Sequence, residues 1–170
     1  GSEGAELADE TDPELALRMA NNARKSLLAG VTTVRLVGET HGVDFAVRRA
    51  IQKGEAIGPR VKTAGEIIVP TGGHGFLEAD GPYALARAVR EQIKKGADWI
   101  KIAISGGISD THGSIGAAPM TDEELATLIE VAHRNGIPVT AHNGSPAAAE
   151  QSIKFGINCF EHGYFLTPEN

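Results

Sequence analysis

The chain has 170 residues, of which 41% are hydrophobic and 22% are charged, as in an ordinary globular domain. Its formal net charge of -6 argues against a nucleic-acid or anionic membrane partner, because both require clustered Lys and Arg. The single cysteine, Cys159, fits a reducing compartment, and no apolar run approaches the roughly 20 residues that cross a bilayer. We therefore expect a cytoplasmic protein with no nucleic-acid or membrane partner.

The first half of the chain alternates predicted helices and strands. Residues 12–29 carry apolar positions at helical spacing, with Asp12 as the predicted N-cap and Gly30 as the stop. Residues 31–37 are rich in β-branched side chains and predict a strand. The same pattern of apolar spacing and glycine stops then predicts a helix near 44–53, a strand over 60–69 and a glycine-rich loop, PTGGHG, at 70–75.

The second half repeats the pattern. A helix near 82–95 precedes a strand that contains Lys101, and the next helix begins at Thr121, where TDEE forms a capping box. The remaining predicted elements are a strand in IPVTAHN (137–143), a helix over 145–155 and a strand in INCFEHG (157–163).

Alternation of short apolar strands with amphipathic helices indicates βαβ units around a parallel sheet. Two layouts fit five such strands: a doubly wound open sheet, or part of an eight-stranded barrel. The G-x-G-x-x-G loop of a dinucleotide-binding sheet is absent, and the polar residues collect where barrel loops carry chemistry. We therefore predict an α/β fold, a partial (β/α)8 TIM barrel in a single domain over 1–170, in which the lead-in 1–11 can be disordered.

Lys101 lies in a predicted apolar strand, where a lysine is rarely buried unless it has an ion-pair partner or a functional role. Because strand side chains alternate, Ile100, Ile102 and Ile104 are expected to face the helices while Lys101 points into the barrel. Three roles are open from the residues alone: an ion-pair partner, a Schiff-base nucleophile whose pKa is lowered by burial, or a lysine carboxylated to a metal-bridging carbamate.

Two histidines end the following strands. Alternation places Thr140 and His142 inside the barrel, and His162 is expected to end the next strand in the same way, with Phe160 on its side. Neutral imidazoles on a rigid scaffold are good ligands for zinc or a similar divalent ion. The alternative is that each histidine only satisfies a local hydrogen bond. Glu161 is expected to make hydrogen bonds that orient the strand end or a ligand.

Other histidines are given plainer roles. His41 and His112 lie in glycine-containing loops and are expected to be solvated, although either is placed to touch a substrate. His133 lies near the end of a predicted helix and is expected on the surface.

The segments AGVTTVR, GPRV, PTGGHG, GADWIKIAISGG, GIPVTAHN and FEHG, in that order, resemble the amidohydrolase superfamily, in its prolidase-like and imidazolonepropionase-related branch. The resemblance implies a metal-centred barrel that hydrolyses an amide, often in a dipeptide or an N-acyl amino acid. It implies that Lys101 is a carboxylated metal ligand, that His142 and His162 bind metal, with zinc as the expected ion, and that His74 lies near the substrate.

The sequence also departs from that family. It contains no H-x-H pair, which family members carry on the first strand, and it lacks the aspartate of the last strand. We therefore expect the central segment of an amidohydrolase, whose exposed sheet edges favour self-association. Two alternatives are an inactive or oligomerising structural piece, and a class I aldolase that uses Lys101 as its Schiff base. The aldolase gives no role to His142 and His162.

Overall fold

The computed structural model describes residues 10–107 and 114–169, and every strand pairing in it is parallel. A 3-10 turn, Thr40–Gly42, lies between the first strand and the second helix. The elements in chain order are α1 (Asp12–Leu28), β1 (Thr33–Leu36), α2 (Val43–Gln52), β2 (Arg60–Thr63), β3 (Ile68–Val69), β4 (Leu77–Glu78), α3 (Gly81–Lys95), β5 (Ile100–Ala103), α4 (Asp122–Arg134), β6 (Val139–His142), α5 (Pro146–Lys154) and β7 (Cys159–Phe160).

The strands form two sheets that follow one another. β1 pairs with β2, and the larger sheet has the order β4-β3-β5-β6-β7. The two sheets are joined where the N–H of Asp98, just before β5, donates to the carbonyl of Thr63 at 2.8 Å. Apart from β4, which lies at the edge of the larger sheet outside β3, the strands succeed one another in chain order. Helices connect β1 to β2, β4 to β5, β5 to β6 and β6 to β7. This is an α/β fold that corresponds to part of a (β/α)8 barrel, as predicted.

The strand predicted over 60–69 is divided into β2 and β3. Gly65 lies between them with a φ of 68°, and its N–H donates to Oδ2 of Asp44 at 3.0 Å. A side chain at this position would collide with Gln92, whose Oε1 lies 2.2 Å from where a Cβ would be. The left-handed turn ends one strand and redirects the next. β4, which pairs with β3, was not predicted.

Helix boundaries agree with the sequence except at the start of α1. The N-cap is Thr11 and not Asp12, because the carboxylate of Glu14 accepts the Thr11 N–H at 2.8 Å in a capping box. The predicted box at Thr121 is present: Thr121 accepts from the N–H of Glu124, whose carboxylate accepts the Thr121 N–H at 2.9 Å.

The main core lies between the larger sheet and its helices. The outward face of the sheet contributes Ile68, Ile100, Ile102, Ile104, Val139 and Ala141, and all six are buried. They pack with apolar residues of α3 and α4, including Leu85, Val89, Leu125, Leu128 and Ile129. The helices thereby fix the strands whose opposite face carries the polar side chains. Over 10–107 and 114–169, no helix is both long and apolar enough to cross a membrane.

Candidate metal centre

Lys101 lies on the cavity face of β5, opposite the isoleucines, as strand alternation predicts. Only 4% of the residue is exposed, and in register it lies beside Thr140 of β6. Burial lowers the pKa of Lys101, and the charge of Arg35 acts in the same direction, while Glu161 opposes both. The lysine is thus held in a setting that disfavours its ammonium form.

His142 ends β6 on the same face and is 5% exposed. Its Nε2 lies 2.9 Å from the carbonyl oxygen of Gly106, which accepts the ring N–H. That hydrogen bond leaves Nδ1 as the nitrogen with a lone pair, the arrangement that orients a histidine ligand. Burial lowers the pKa of His142 to about 4, so the ring is neutral near pH 7.

His162 meets His142 at this edge of the sheet. Its Nε2 contacts Nδ1 of His142, and the two ring centroids are 4.5 Å apart. Burial, followed by the charge of Lys101, lowers the pKa of His162. The charge of Lys101 also lowers the pKa of His142, so all three groups share one electrostatic environment.

The predicted orientation of Phe160 is wrong. Phe160 packs against the core on the helix side, whereas Cys159 lies beside Thr140 on the cavity side, as does the carboxylate of Glu161. β7 contains only two residues, and the chain bends at Glu161. The bend breaks the alternation and still brings His162 to His142.

His74, in the loop after β3, packs over the same pair. Its ring centroid is 4.4 Å from that of His142, with the planes 36° apart. The ring lies so close to the backbone of Gly107 that a Cβ there would be 2.1 Å from Nδ1 of His74. The absence of a side chain at Gly107 therefore allows His74 to reach the end of β5.

A second polar group, centred on Glu161, lies on the same face. Arg35 of β1 donates to Oε1 of Glu161 at 2.7 Å and to Oε2 at 3.0 Å. The Thr140 hydroxyl also donates to Oε1, so Glu161 has the hydrogen-bonding role that was expected. The guanidinium of Arg35 also stacks on Trp99, with its Cζ 4.7 Å from the centre of the ring.

Sequence reasoning missed Arg35 and Thr140 as partners of Glu161. The signal was available, since Arg35 is a cation among β-branched residues, as Lys101 is.

The remaining histidines lie apart from this group. His41 pairs with Asp12 at the start of α1, and both side chains are exposed. His133, on the surface as predicted, bonds Asn158 at 2.8 Å. His112 lies outside the described residues.

The donor set fits a divalent ion as a two-histidine half-site. The hydrogen bond from Nε2 of His142 to the Gly106 carbonyl fixes the tautomer of His142. Nδ1 of His142, which carries the lone pair, is directed at Nε2 of His162. No group of three His, Cys, Asp or Glu in the described part of the chain is arranged to hold a metal. Any third protein ligand to this half-site must therefore come from another residue type or from outside those residues.

The sequence profile of the amidohydrolase family matches residues 5–168, and the chain belongs to that family. Ochratoxinase of Aspergillus niger is 30% identical over 180 residues, which cover 89% of this chain and 37% of the relative. The crystal structure of the same enzyme superposes with a TM-score of 0.88 at 29% identity, covering 96% of this chain and 43% of that one.

A crystal structure of a Xaa-Pro dipeptidase with bound methionine superposes with a TM-score of 0.84 at 32% identity. The match covers 91% of this chain and 42% of the dipeptidase. The chain thus spans about two fifths of the length of the relatives that it matches.

Proposed function

We propose that the chain is the central part of a metal-dependent amidohydrolase that cleaves an amide or peptide bond in a small molecule. The observation that carries the proposal is the meeting of His142 and His162, nitrogen to nitrogen, beside buried Lys101 in a member of this family. The domain boundaries 1–170 are part of the proposal.

In this proposal His142 and His162 hold a divalent ion, with zinc as the candidate. Their lowered pKa values keep both rings neutral near pH 7, which a metal ligand requires. The Gly106 carbonyl orients His142. Lys101 contributes as a carbamate, because burial and the nearby cationic Arg35 favour the neutral amine that reacts with carbon dioxide.

A divalent ion bound there supplies Lewis acidity toward a carbonyl and lowers the pKa of water towards neutrality. The protein's part is to orient the groups around the reacting bond. His74, stacked on His142, is proposed to contact the substrate, and the buried floor of Thr140 and Lys101 excludes bulk water below it.

The substrate class follows from the relatives. The dipeptidase named above is described as acting on Xaa-Pro and was crystallised with methionine. A dipeptide or an N-acyl amino acid is therefore the proposed substrate. We also propose a cytoplasmic location and self-association through the sheet edges.

The test is hydrolysis of a panel of dipeptides and N-acyl amino acids by the full gene product that carries this chain, with zinc present. Activity that is lost in His142→Ala and Lys101→Ala but kept in His133→Ala supports the proposal. Activity that does not depend on metal contradicts it. Borohydride trapping of a carbonyl substrate on Lys101 would instead favour the aldolase.

The reading frame on either side of residues 1 and 170 provides a second test. An H-x-H pair upstream and a strand-terminal aspartate downstream are expected. If the complete gene product binds no metal and cleaves none of these amides, the structural alternative replaces the hydrolase.

A further inference from the structure

Both oxygens of the Glu161 carboxylate are engaged by partners other than Lys101. Arg35 uses its guanidinium fork on both oxygens, at 2.7 and 3.0 Å, and the Thr140 hydroxyl shares Oε1. Bidentate pairing of this kind fixes both the position and the orientation of a carboxylate. Arg35 and Glu161 come from β1 and from the residue after β7, so the pair reaches across the cavity face.

Lys101 lies next to this pair without joining it. In register it adjoins Thr140, whose hydroxyl contacts Glu161, and the backbones of the two neighbouring strands lie about 4.8 Å apart. Within residues 10–107 and 114–169, no carboxylate pairs with its ammonium, although burial normally demands such a partner. Glu161, the carboxylate whose charge acts on Lys101, is already paired with Arg35 and Thr140.

We propose that Arg35 is a positioning residue that keeps the Lys101 amine unpaired by holding the Glu161 carboxylate away from it. Without the guanidinium, the partly buried carboxylate is left with an unmatched charge. Lys101 is a cation on the same face, and the charge of Glu161 already acts on it. Rotation of the Glu161 side chain toward it forms a new ion pair, which ties up the amine.

The arrangement serves a lysine that must react or bind through its nitrogen. A salt bridge with Glu161 would compete with carbamate formation and with Schiff-base formation alike. The inference therefore goes beyond the proposed hydrolase and does not depend on metal, so the experiment that tests it can fail while the hydrolase stands.

The test measures availability of the Lys101 amine by reductive methylation with formaldehyde. The protein is freed of metal by dialysis against a chelator and kept in buffer depleted of carbon dioxide. Label on Lys101 is quantified by peptide mass spectrometry relative to Lys94, an exposed lysine of α3. Circular dichroism confirms that each variant is folded.

Four proteins are compared: wild type, Arg35→Met, Glu161→Gln and the double variant. We expect Arg35→Met to lower labelling of Lys101 at least about fivefold. The new ion pair between Lys101 and Glu161 would be largely shielded from solvent and therefore more stable than an exposed ion pair. Glu161→Gln should label as the wild type does, because no carboxylate is left to capture the lysine. The double variant should recover wild-type labelling for the same reason.

Several outcomes would overturn the proposal. Equal loss of labelling in Arg35→Met and Glu161→Gln would mean that the pair acts only as structural support. Unchanged labelling in folded Arg35→Met, or no labelling of Lys101 in the wild type, would also overturn it. If Arg35→Met does not fold, Arg35→Lys carries the test, since a single ammonium cannot hold both oxygens and should lower labelling partway.

Discussion

His142 and His162 face each other directly, with Nδ1 of His142 in contact with Nε2 of His162 and the ring centroids 4.5 Å apart. One ends β6 and the other follows β7, so adjacent parallel strands place both nitrogens at one edge. Burial and a nearby lysine keep both rings neutral near pH 7. This neutral pair is the basis of the predictions about metal.

Lys101→Met should separate function from stability. The substitution replaces a buried cation with an apolar side chain of similar length, so we expect the free energy of unfolding to stay the same or to rise by about 1 kcal/mol. Zinc affinity should fall at least about tenfold if the lysine contributes a ligand. Urea unfolding and equilibrium dialysis provide the two measurements. Lys94→Met, on the exposed side of α3, serves as the control, and a large loss of stability in Lys101→Met would argue for a structural lysine.

Gly107→Ala should displace His74. The new methyl group would lie 2.1 Å from Nδ1 of His74, so the ring must move away from His142. Overpacking of this kind costs about 1 to 3 kcal/mol. Chemical denaturation measures the loss, and Gly116→Ala is the matched control because its Cβ would come no nearer than 3.8 Å to Ser114. Equal stability of the two variants would show that His74 does not pack against Gly107.

Glu39 should make the protein less stable as pH rises. Burial, followed by the charge of Asp44, raises the pKa of Glu39 from 4.5 to about 7. The folded state therefore holds a proton that the unfolded state has released, and the free energy of unfolding falls between about pH 4.5 and 7. The contribution is present in full below pH 4.5 and is lost through pH 7. Burial also raises the pKa of Asp44, which acts in the same direction.

Glu39→Gln should flatten this dependence, with a gain on the order of 1 kcal/mol at pH 8 after allowance for solvent screening. Urea melts from pH 4.5 to 8 measure the slope, and Glu55→Gln, on the exposed turn after α2, is the control. If the free energy of unfolding of Glu39→Gln falls with pH as steeply as that of the wild type, the pH dependence arises from other groups.

The outer edge of β1 should mediate self-association. The carbonyls of Thr32 and Leu36 accept bonds from the β2 side, so by alternation the N–H of Thr33 points to the free edge. We expect light scattering after size-exclusion chromatography to show oligomers that Thr33→Pro reduces, since proline removes that donor. A wild-type monomer would contradict the prediction.

The sequence predicted the alternation of elements because glycines and caps mark the helix ends clearly, as at Gly30 and Thr121. The alternation of side chains in β5 and β6 was also predicted correctly, because all four residues of each strand pair in one regular parallel ladder. Placement of Lys101 and His142 on the cavity face followed from that regularity.

The features that the sequence did not predict depend on tertiary contacts. The break at Gly65 requires Asp44 and Gln92, which lie 21 and 27 residues away in the chain, and no local pattern reveals them. Phe160 was misplaced because β7 is too short for alternation to continue. The pairing of Arg35 with Glu161 joins residues from opposite ends of the described sheets, so only the fold brings them together.

The measurement that tests the account most directly is zinc affinity, determined by isothermal titration calorimetry near pH 7, for the wild-type protein, His142→Ala and His162→Ala. We expect wild-type binding that weakens at least about tenfold in His142→Ala and in His162→Ala, because each removes one nitrogen donor. His133→Ala, which removes a surface histidine, should bind as the wild type does. Equal zinc affinity in the wild type, His142→Ala and His162→Ala would contradict the metal centre.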